Sequence, residues 1–393
     1  MDRGLLVTTW NANGLHHKIE ELRIFINEYS PDILLIQEHK LSPQITFNIA
    51  NYCLYRLNRP RLTNRSPGGG LIILIKQSIT HHQTTIPQLV ALEALAITVT
   101  PLTSHPLTII SAYVPSNKRS QSNISEDFEA LFRLNNHTVI GGDFNALHRA
   151  WGCSYTSYLG TVIHRYATQA GITIAAPNTP TRYNDRSANT LDFFLLKGCK
   201  FSYVHTINEL SSDHSPVMLN LDTSVRSTPD KKAFITNWVN YTKALNNTSL
   251  HIPTAQSGEE LDELVASFTN ELTTALNTNS TSVPERKNVV NPDLRKLIQQ
   301  RNAARKEWRR TRFPADKTNL NRLNHKVRAL SRIHAQQEWA TYLTSLSADE
   351  SSVWKTTTKI KRCYTNIPPL NGQLGIAYTE PEKAESLADH YAS

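Results

Sequence analysis

Short apolar runs recur along the first 222 positions, and nearly every one delivers a polar side chain at or near its end. Leu5-Leu6-Val7-Thr8-Thr9-Trp10 leads to Asn11, with the turn pair Asn13-Gly14 just beyond. Ile33-Leu34-Leu35-Ile36-Gln37 leads to Glu38, and Gly70-Leu71-Ile72-Ile73-Leu74-Ile75 is a similar run. Ile109-Ile110-Ser111-Ala112 leads to Tyr113 before Pro115 ends it. Thr190–Leu196 encloses Asp192, and Ser212-Asp213-His214 precedes Pro216–Leu219. Runs of this length, rich in Ile, Leu and Val and bounded by turn-formers, predict buried strands.

The stretch Val139-Ile140-Gly141-Gly142-Asp143-Phe144-Asn145 carries the most chemistry. Side chains alternate faces in an extended segment, so Asp143 and Asn145 are expected to point the same way past a strand end. The glycine pair is expected to leave the backbone open to close approach by a ligand. A carboxylate beside a carboxamide suits a water-activating or metal-binding site for phosphate chemistry. Taken singly, each polar strand end is ordinary, because Asp and Asn favour turns. Taken together they predict a convergent site, since an α/β domain gathers its chemistry at strand ends and loops.

The segments WNANGL, QEHKL, SAYVP, GGDFNALH, TLDFFL and SDHSPV, in that order, resemble the endonuclease/exonuclease/phosphatase superfamily. More narrowly, they resemble the endonuclease encoded by jockey-type non-LTR retrotransposons. The likeness runs from about Leu5 to Asp222 and includes Trp151-Gly152 and Pro180-Thr181. It implies two packed mixed β-sheets flanked by helices, a four-layer α/β sandwich. The superfamily also holds repair nucleases, deoxyribonucleases and phosphatases, so fold alone does not fix the substrate.

Phosphodiester hydrolysis needs charge neutralisation on the phosphate, an in-line activated water and a stabilised leaving oxygen. Within the resemblance, Glu38 is expected to bind Mg²⁺, with Mn²⁺ as a substitute, beside Asn11, and Asp213 is a further metal-ligand candidate. Hard cations take oxygen ligands and keep several waters, so one or two carboxylates suffice. Asp143 would orient or deprotonate the water, Asn145 would hydrogen-bond the phosphate, and Tyr113 would donate its hydroxyl to it. His214 would donate to a phosphate oxygen, oriented by Asp192, whose charge favours the imidazolium. His16, His17, His81, His82 and His148 lack such context and read as surface or structural.

Charge separates the rest of the chain from this region. The first 222 residues hold eighteen basic and sixteen acidic side chains, whereas 284–332 hold fifteen against four, a net of +11 that exceeds the +9 of all 393 residues. This asymmetry predicts a polyanion partner. Asn291 is a plausible N-cap and Pro292 a first helical residue. Leu294, Leu297, Ile298, Arg301, Ala304 and Trp308 follow at helical spacing until Arg312-Phe313-Pro314 breaks the pattern. A second helix, with Leu320, Leu323, Val327 and Leu330 on one side, completes a basic helical hairpin. Arg305, Arg309 and Arg312 interleaved with Trp308 are candidate nucleic-acid contacts, a guanidinium on phosphate and its neighbour stacking. The competing reading is a solvated basic face.

The expected organisation is therefore an endonuclease domain over 1–225, a polar linker over 226–283 with a weak helix near 259–276, and a basic helical region over 284–393. A fragment ending near 225 would carry every candidate site residue. Jockey-type proteins continue into a reverse transcriptase, and no paired-aspartate polymerase hairpin occurs here, so that domain is expected to be missing. Four cysteines at 53, 153, 199 and 363 form no CxxC pair and read as reduced thiols. No apolar run approaches bilayer length and no signal-peptide pattern precedes the first strand, which predicts a nuclear protein, cytoplasmic in transit, without a membrane partner. The function implied is a metal-dependent DNA endonuclease that nicks target DNA to free a 3′-hydroxyl that primes reverse transcription, with the element's RNA as a second partner. The alternatives are an abasic-site repair nuclease, a phosphatase of the same superfamily, or a decayed element product that only binds nucleic acid.

Overall fold

The apolar runs become two six-stranded sheets packed face to face. The computed structural model describes residues 4–43, 45, 47–59, 69–100, 105–115, 123–184, 187–223, 233–247, 257–283, 291–346, 352–361, 370–372, 375–377 and 380–392. In chain order the elements are β1 (Leu5–Asn11), α1 (Ile19–Tyr29), β2 (Ile33–Gln37), β3 (Tyr52–Leu57), β4 (Leu71–Lys76), β5 (His81–Thr84), β6 (Glu93–Val99), β7 (Leu107–Tyr113), α2 (Ile124–Phe132), β8 (Thr138–Asp143), α3 (Tyr158–Ala170), β9 (Thr173–Ala175), β10 (Arg182–Tyr183), β11 (Ala188–Asn189), β12 (Asp192–Lys197), β13 (Phe201–Thr206) and β14 (Val217–Leu221). The first sheet has the order β13-β14-β1-β2-β4-β3 and the second β5-β6-β7-β8-β12-β9, with β10 and β11 forming a separate small ribbon. Parallel pairs (β1 with β2, β7 with β8) sit among antiparallel ones, so both sheets are mixed.

Three apolar layers account for the packing. Val7, Ile33, Leu35, Ile73, Ile97, Ile109, Val139 and Phe194 fill the space between the sheets. Leu22, Phe25 and Ile26 of α1 cover the outer face of the first sheet, and Phe128, Leu131, Leu159 and Ile163 of α2 and α3 cover the second. Strands buried on both faces read as unbroken apolar runs, which is why they were legible in the sequence. A polar contact crosses between the sheets at Gln37, which accepts from Thr9 Oγ1 (3.2 Å) and donates to Ser111 Oγ (3.0 Å). It lies at the strand ends where the site forms and ties the two sheets together there.

The glycine pair of β8 serves a different purpose from the one expected. A Cβ on Gly142 would sit 1.8 Å from the Ala112 carbonyl oxygen, and one on Gly141 would sit 2.5 Å from the Phe194 ring. Both positions are crowded by neighbouring strands. The glycines permit close strand packing beside Asp143, and no space for a ligand is left at either of them.

Residues 229–287 form a compact unit of their own, and 1–228 together with 288–393 form the other. The smaller unit, read above as a linker, pairs β15 (Ala233–Thr236) with β16 (Ser280–Val283) around α4 (Trp238–Asn247) and α5 (Gly258–Thr278). A strand of sequence Ser-Thr-Ser-Val, closing against a partner 44 residues away, carries no apolar alternation that a sequence reading can detect.

The basic segment forms α6 (Pro292–Thr311) and α7 (Pro314–Thr344). Asn291 caps α6 by accepting from the Asp293 and Leu294 amides, and Arg312 ends it in a left-handed conformation before Pro314 starts the next helix. Leu294, Ile298 and Val327 pack on Ile24 of α1. The hairpin is thus part of the larger unit. Short elements follow: α8 (Ser352–Lys361), the pair β17 (Leu370–Gly372) and β18 (Gly375–Ala377), and α9 (Glu380–Ala392). No helix among the described residues is long and apolar enough to cross a membrane.

Candidate active site

Strand register gathers the polar strand ends at one edge of the sandwich. Asn11 lies opposite Gln37, which places Glu38 one residue beyond on the first sheet. On the second sheet Tyr113 and Asp192 both lie opposite Asp143, on its two sides. The turn before β14 adds Asp213 and His214. The two sheets meet at Asn11, whose amide nitrogen donates to Glu38 Oε1 (3.0 Å) and to Asp143 Oδ2 (2.8 Å).

His214 is the centre of the buried half. Its Nδ1 lies 2.7 Å from Asp192 Oδ2, and Asp192 also accepts from the Thr181 hydroxyl (2.6 Å). With Nδ1 engaged, Nε2 is turned toward Asp143 (3.9 Å) and Asp213 (4.0 Å) without bonding either. Burial alone would push the imidazole down, but the charges of Asp192, Asp143 and Asp213 outweigh it and raise His214 to about 9. These carboxylates therefore favour the charged ring at neutral pH.

Asp143 moves the other way from an ordinary carboxylate. Burial pushes it up to about 7, with Asp192 adding repulsion, against the lowering effects of His214, the Asn11 amide and the Asn145 backbone N–H. A carboxyl that loses its proton near neutrality, 1 % exposed beside an imidazolium, has the properties of a general base.

Glu38 forms the half nearer to solvent. Burial would raise its carboxyl, but hydrogen bonds from Lys40, Asn11 and Tyr113 hold it below its usual value and keep it ionised. Lys40 Nζ sits 2.7 Å from Glu38 Oε2 and 2.7 Å from Asn13 Oδ1. Asn13 in turn donates to Asp213 Oδ1 (3.1 Å), and Arg182 Nε donates to Asp213 Oδ2 (3.1 Å). Asn13, Glu38, Lys40 and Asn145 all have positive φ. Four non-glycine residues in this sparsely populated conformation at one place mark a site whose surroundings dictate the backbone.

These donors fit a hard divalent cation. Glu38 is an ionised carboxylate with a cation, the Lys40 ammonium, already balancing it; Lys40 is a flexible, partly exposed side chain that a metal ion could displace. The side-chain oxygen of Asn11 accepts from the Asn13 amide, while its nitrogen faces the two carboxylates, so a metal-ligand role for Asn11 requires its amide to turn. Asp213 is joined to Glu38 through Asn13 and Lys40, and it accepts from Asn13, Arg182 and the Ser212 hydroxyl (3.3 Å).

Two sequence expectations are revised by local geometry. Asn145 shares the site because its left-handed backbone folds back, its N–H donating to Asp143 Oδ1 (3.0 Å), and extended alternation does not apply. Its amide nitrogen donates to the Val114 carbonyl (2.9 Å), so the amide is held by the backbone. Tyr113 directs its hydroxyl at Glu38, its ionisation is pushed up first by burial and then by Glu38, and the Arg59 guanidinium lies over its ring at 5.4 Å. Thr181, Lys40, Asn13 and Arg182 were not identified as site residues from sequence. Asn13 in WNANGL, Lys40 in QEHKL and Thr181 in Pro180-Thr181 fell within the resemblance without being assigned a role, and Arg182 carried no signal.

The candidate nucleic-acid contacts on α6 are placed inside the larger unit. Arg305 is 5 % and Trp308 7 % exposed. Arg305 donates to the Glu209 carbonyl (3.0 Å), Arg309 stacks on Tyr183 at 4.0 Å, and Arg312 donates to the Asn184 carbonyl (3.0 Å) while lying 4.9 Å from the Trp308 ring. The interleaving of Arg with Trp reflects helix docking: these side chains cover loops beside the site.

Two mixed sheets with an Asp–His pair and a facing carboxylate at one edge define a phosphoesterase-type α/β sandwich. Residues 8–214 match the Endonuclease/Exonuclease/phosphatase family, and the chain belongs to that family. It is 29 % identical to a probable RNA-directed DNA polymerase from transposon X-element of Drosophila melanogaster, over 99 % of this chain and 44 % of that protein. It is 26 % identical to the RNA-directed DNA polymerase from mobile element jockey of Drosophila funebris, over 97 % of this chain and 43 % of that protein. The chain thus spans less than half the length of these relatives. Among solved structures it is similar to the endonuclease domain of TRAS1, a telomere-specific non-LTR retrotransposon (18 % identity, TM-score 0.43, covering 55 % of this chain and 98 % of that one). It is also similar to the AP endonuclease LMAP from Leishmania major (15 %, TM-score 0.46, 58 % and 90 %).

Proposed function

We propose that the chain is the endonuclease part of a non-LTR retrotransposon protein, cutting one strand of target DNA by metal-dependent phosphodiester hydrolysis. The observation that carries this reading is the buried Asp143 beside the Asp192–His214 pair, with Glu38 joined to it through Asn11. The names of the relatives, RNA-directed DNA polymerases of mobile elements, supply the context. In that context the freed 3′-hydroxyl primes reverse transcription, the element's RNA is a further partner, and the protein acts in the nucleus.

The residues divide the work. Ionised Asp143 takes the proton of the attacking water, with the Asn145 N–H holding its orientation. His214, charged and locked by Asp192, donates from Nε2 to a phosphate oxygen. Glu38 and Asn11 would hold Mg²⁺ or Mn²⁺, which when bound neutralises phosphate charge and stabilises the leaving oxygen. Asp213 keeps Arg182 and Asn13 at the rim, and Tyr113 keeps Glu38 in place.

Because Asp143 must be ionised and His214 protonated, nicking is expected to rise with pH through about 7 and fall as pH passes about 9. His214→Ala should abolish the falling limb and move the rising limb upward, since the imidazolium lowers Asp143. Single-turnover rates over pH 5.5–10 test this, and a flat profile would remove both groups from the chemistry.

The class of reaction is tested with supercoiled plasmid. Open circles whose nick a DNA polymerase extends without phosphatase treatment are the expected product. Cutting confined to abasic-site oligonucleotides would favour the repair reading, release of terminal phosphate alone would favour a phosphatase, and binding without cutting would mark a decayed protein.

A further inference from the structure

One face of α6 grips the loop that leads into Asp213-His214. Arg301, Asn302, Arg305 and Arg309 follow one another at helical spacing. Arg301 is 0 % exposed and forks between the Glu21 carboxylate of α1 and the Ser211 hydroxyl. Asn302 donates to the Glu209 carboxylate, Arg305 to the Glu209 carbonyl (3.0 Å), and Arg309 to the Asn208 side chain. Three of the four residues from Asn208 to Ser211 are therefore held by a single helix face. Ser212 comes next, donating its hydroxyl to the Asn11 carbonyl (2.8 Å) and accepting from the His214 N–H (3.2 Å).

The same helix holds a second approach to the site. Arg309 and Arg312 cover Tyr183 and Asn184, the Tyr183 N–H donates to the Asp213 carbonyl (3.1 Å), and Arg182 pairs with His214 in the backbone and with Asp213 through its side chain. Both backbone segments that flank His214 are thus fixed by α6, which lies outside the 8–214 stretch matching the family.

We infer that α6 is a positioning element of the active site, with Arg301 and Arg305 setting the place of Asp213 and His214 through Ser211 and Glu209. The inference rests on the nuclease reading for its kinetic arm only. A buried fork of this kind is expensive as a purely stabilising device, because an ion pair removed from water returns little net stability. What the fork supplies is geometry: one planar group sets the distance between α1 and the loop. A fragment of residues 1–225 retains every reacting group and loses the clamp, so it is expected to cut with a lower kcat than the full chain.

The test uses the full chain. Glu21→Gln combined with Arg301→Gln removes both charges of the fork, and the buried Arg305 keeps Glu209 as its acidic neighbour. Ser211→Ala removes only the hydroxyl that Arg301 holds, and Ser211→Thr retains it. Plasmid-nicking kcat is expected to fall about tenfold in the double variant and several-fold in Ser211→Ala, on the scale by which misplacing a reacting group costs rate. KM should stay within about twofold, and Ser211→Thr should restore kcat. Amide hydrogen exchange over 207–216 should quicken in the first two variants and not in the third. Unchanged kcat in folded Ser211→Ala and double-variant proteins, or loss of activity shared equally by Ser211→Thr, would overturn the clamp. A wild-type chain that does not nick would defeat the nuclease reading, and the exchange arm would then decide the clamp by itself: exchange unchanged by Ser211→Ala overturns it. If the double variant does not fold, Ser211→Ala against Ser211→Thr decides.

Discussion

Asp143→Ala and His214→Ala should each lower nicking by about 10²-fold or more, the usual consequence of removing a positioned proton-transfer group. The two act as a unit, so the double variant should fall little further than either single one. DNA affinity should change little, because phosphate contacts elsewhere dominate it. His214→Ala leaves Asp192, 0 % exposed, with Thr181 as its remaining side-chain partner, so the variant is also expected to unfold more readily. Measuring rate on protein verified as folded separates the two effects. Near-wild-type cleavage by either variant would exclude that residue from the mechanism.

Glu38→Gln should be about as damaging at low Mg²⁺ and partly recover as the metal concentration rises. The substitution keeps the shape of the side chain and removes the charge that a hard cation needs. Lewis-acid stabilisation is worth several kcal/mol, so a loss of about 10²-fold at limiting metal is expected. Lys40 would also lose its partner, and with it the contact that holds the ammonium between Glu38 and Asn13. A metal titration of both proteins checks this. A Glu38→Gln protein with unaltered rate and metal dependence would place the cation elsewhere.

The site was legible where a reactive side chain ends a strand. Asn11, Glu38, Tyr113, Asp143 and Asp192 all sit at ends of apolar runs, and strand register then brings them together. Seven of the twelve strands in the two large sheets were legible because strands buried on both faces leave few polar interruptions, whereas β3, β5, β6, β9 and β13 were not read. What escaped were contacts made in space by side chains without a local pattern: Thr181 on Asp192, Lys40 on Glu38, Arg182 on Asp213. The Asn145 turn escaped because alternation holds only within a strand, and β8 ends at Asp143.

The basic helices carry a broader lesson. Positive charge along 284–332 implied a polyanion partner, yet Arg301 and Arg305 are among the most buried side chains of the larger unit. Composition reports charge and says nothing of direction. Their partners, Glu21 and Glu209, lie 280 and 96 residues away along the chain, a separation that no spacing rule reaches. The segment 229–287 escaped for a related reason: β16 is Ser-Thr-Ser-Val, its partner β15 is only four residues long, and the two look like linker until the pairing is seen.

The most direct measurement of the central claim is conversion of supercoiled plasmid by the wild-type chain with Mg²⁺, with Mn²⁺, and with either metal plus excess EDTA. Open circles that form with each metal, vanish with EDTA and return when Mg²⁺ is restored are the predicted result. Undiminished nicking in excess EDTA would contradict the account, because Glu38 and Asn11 would then have no cation to hold.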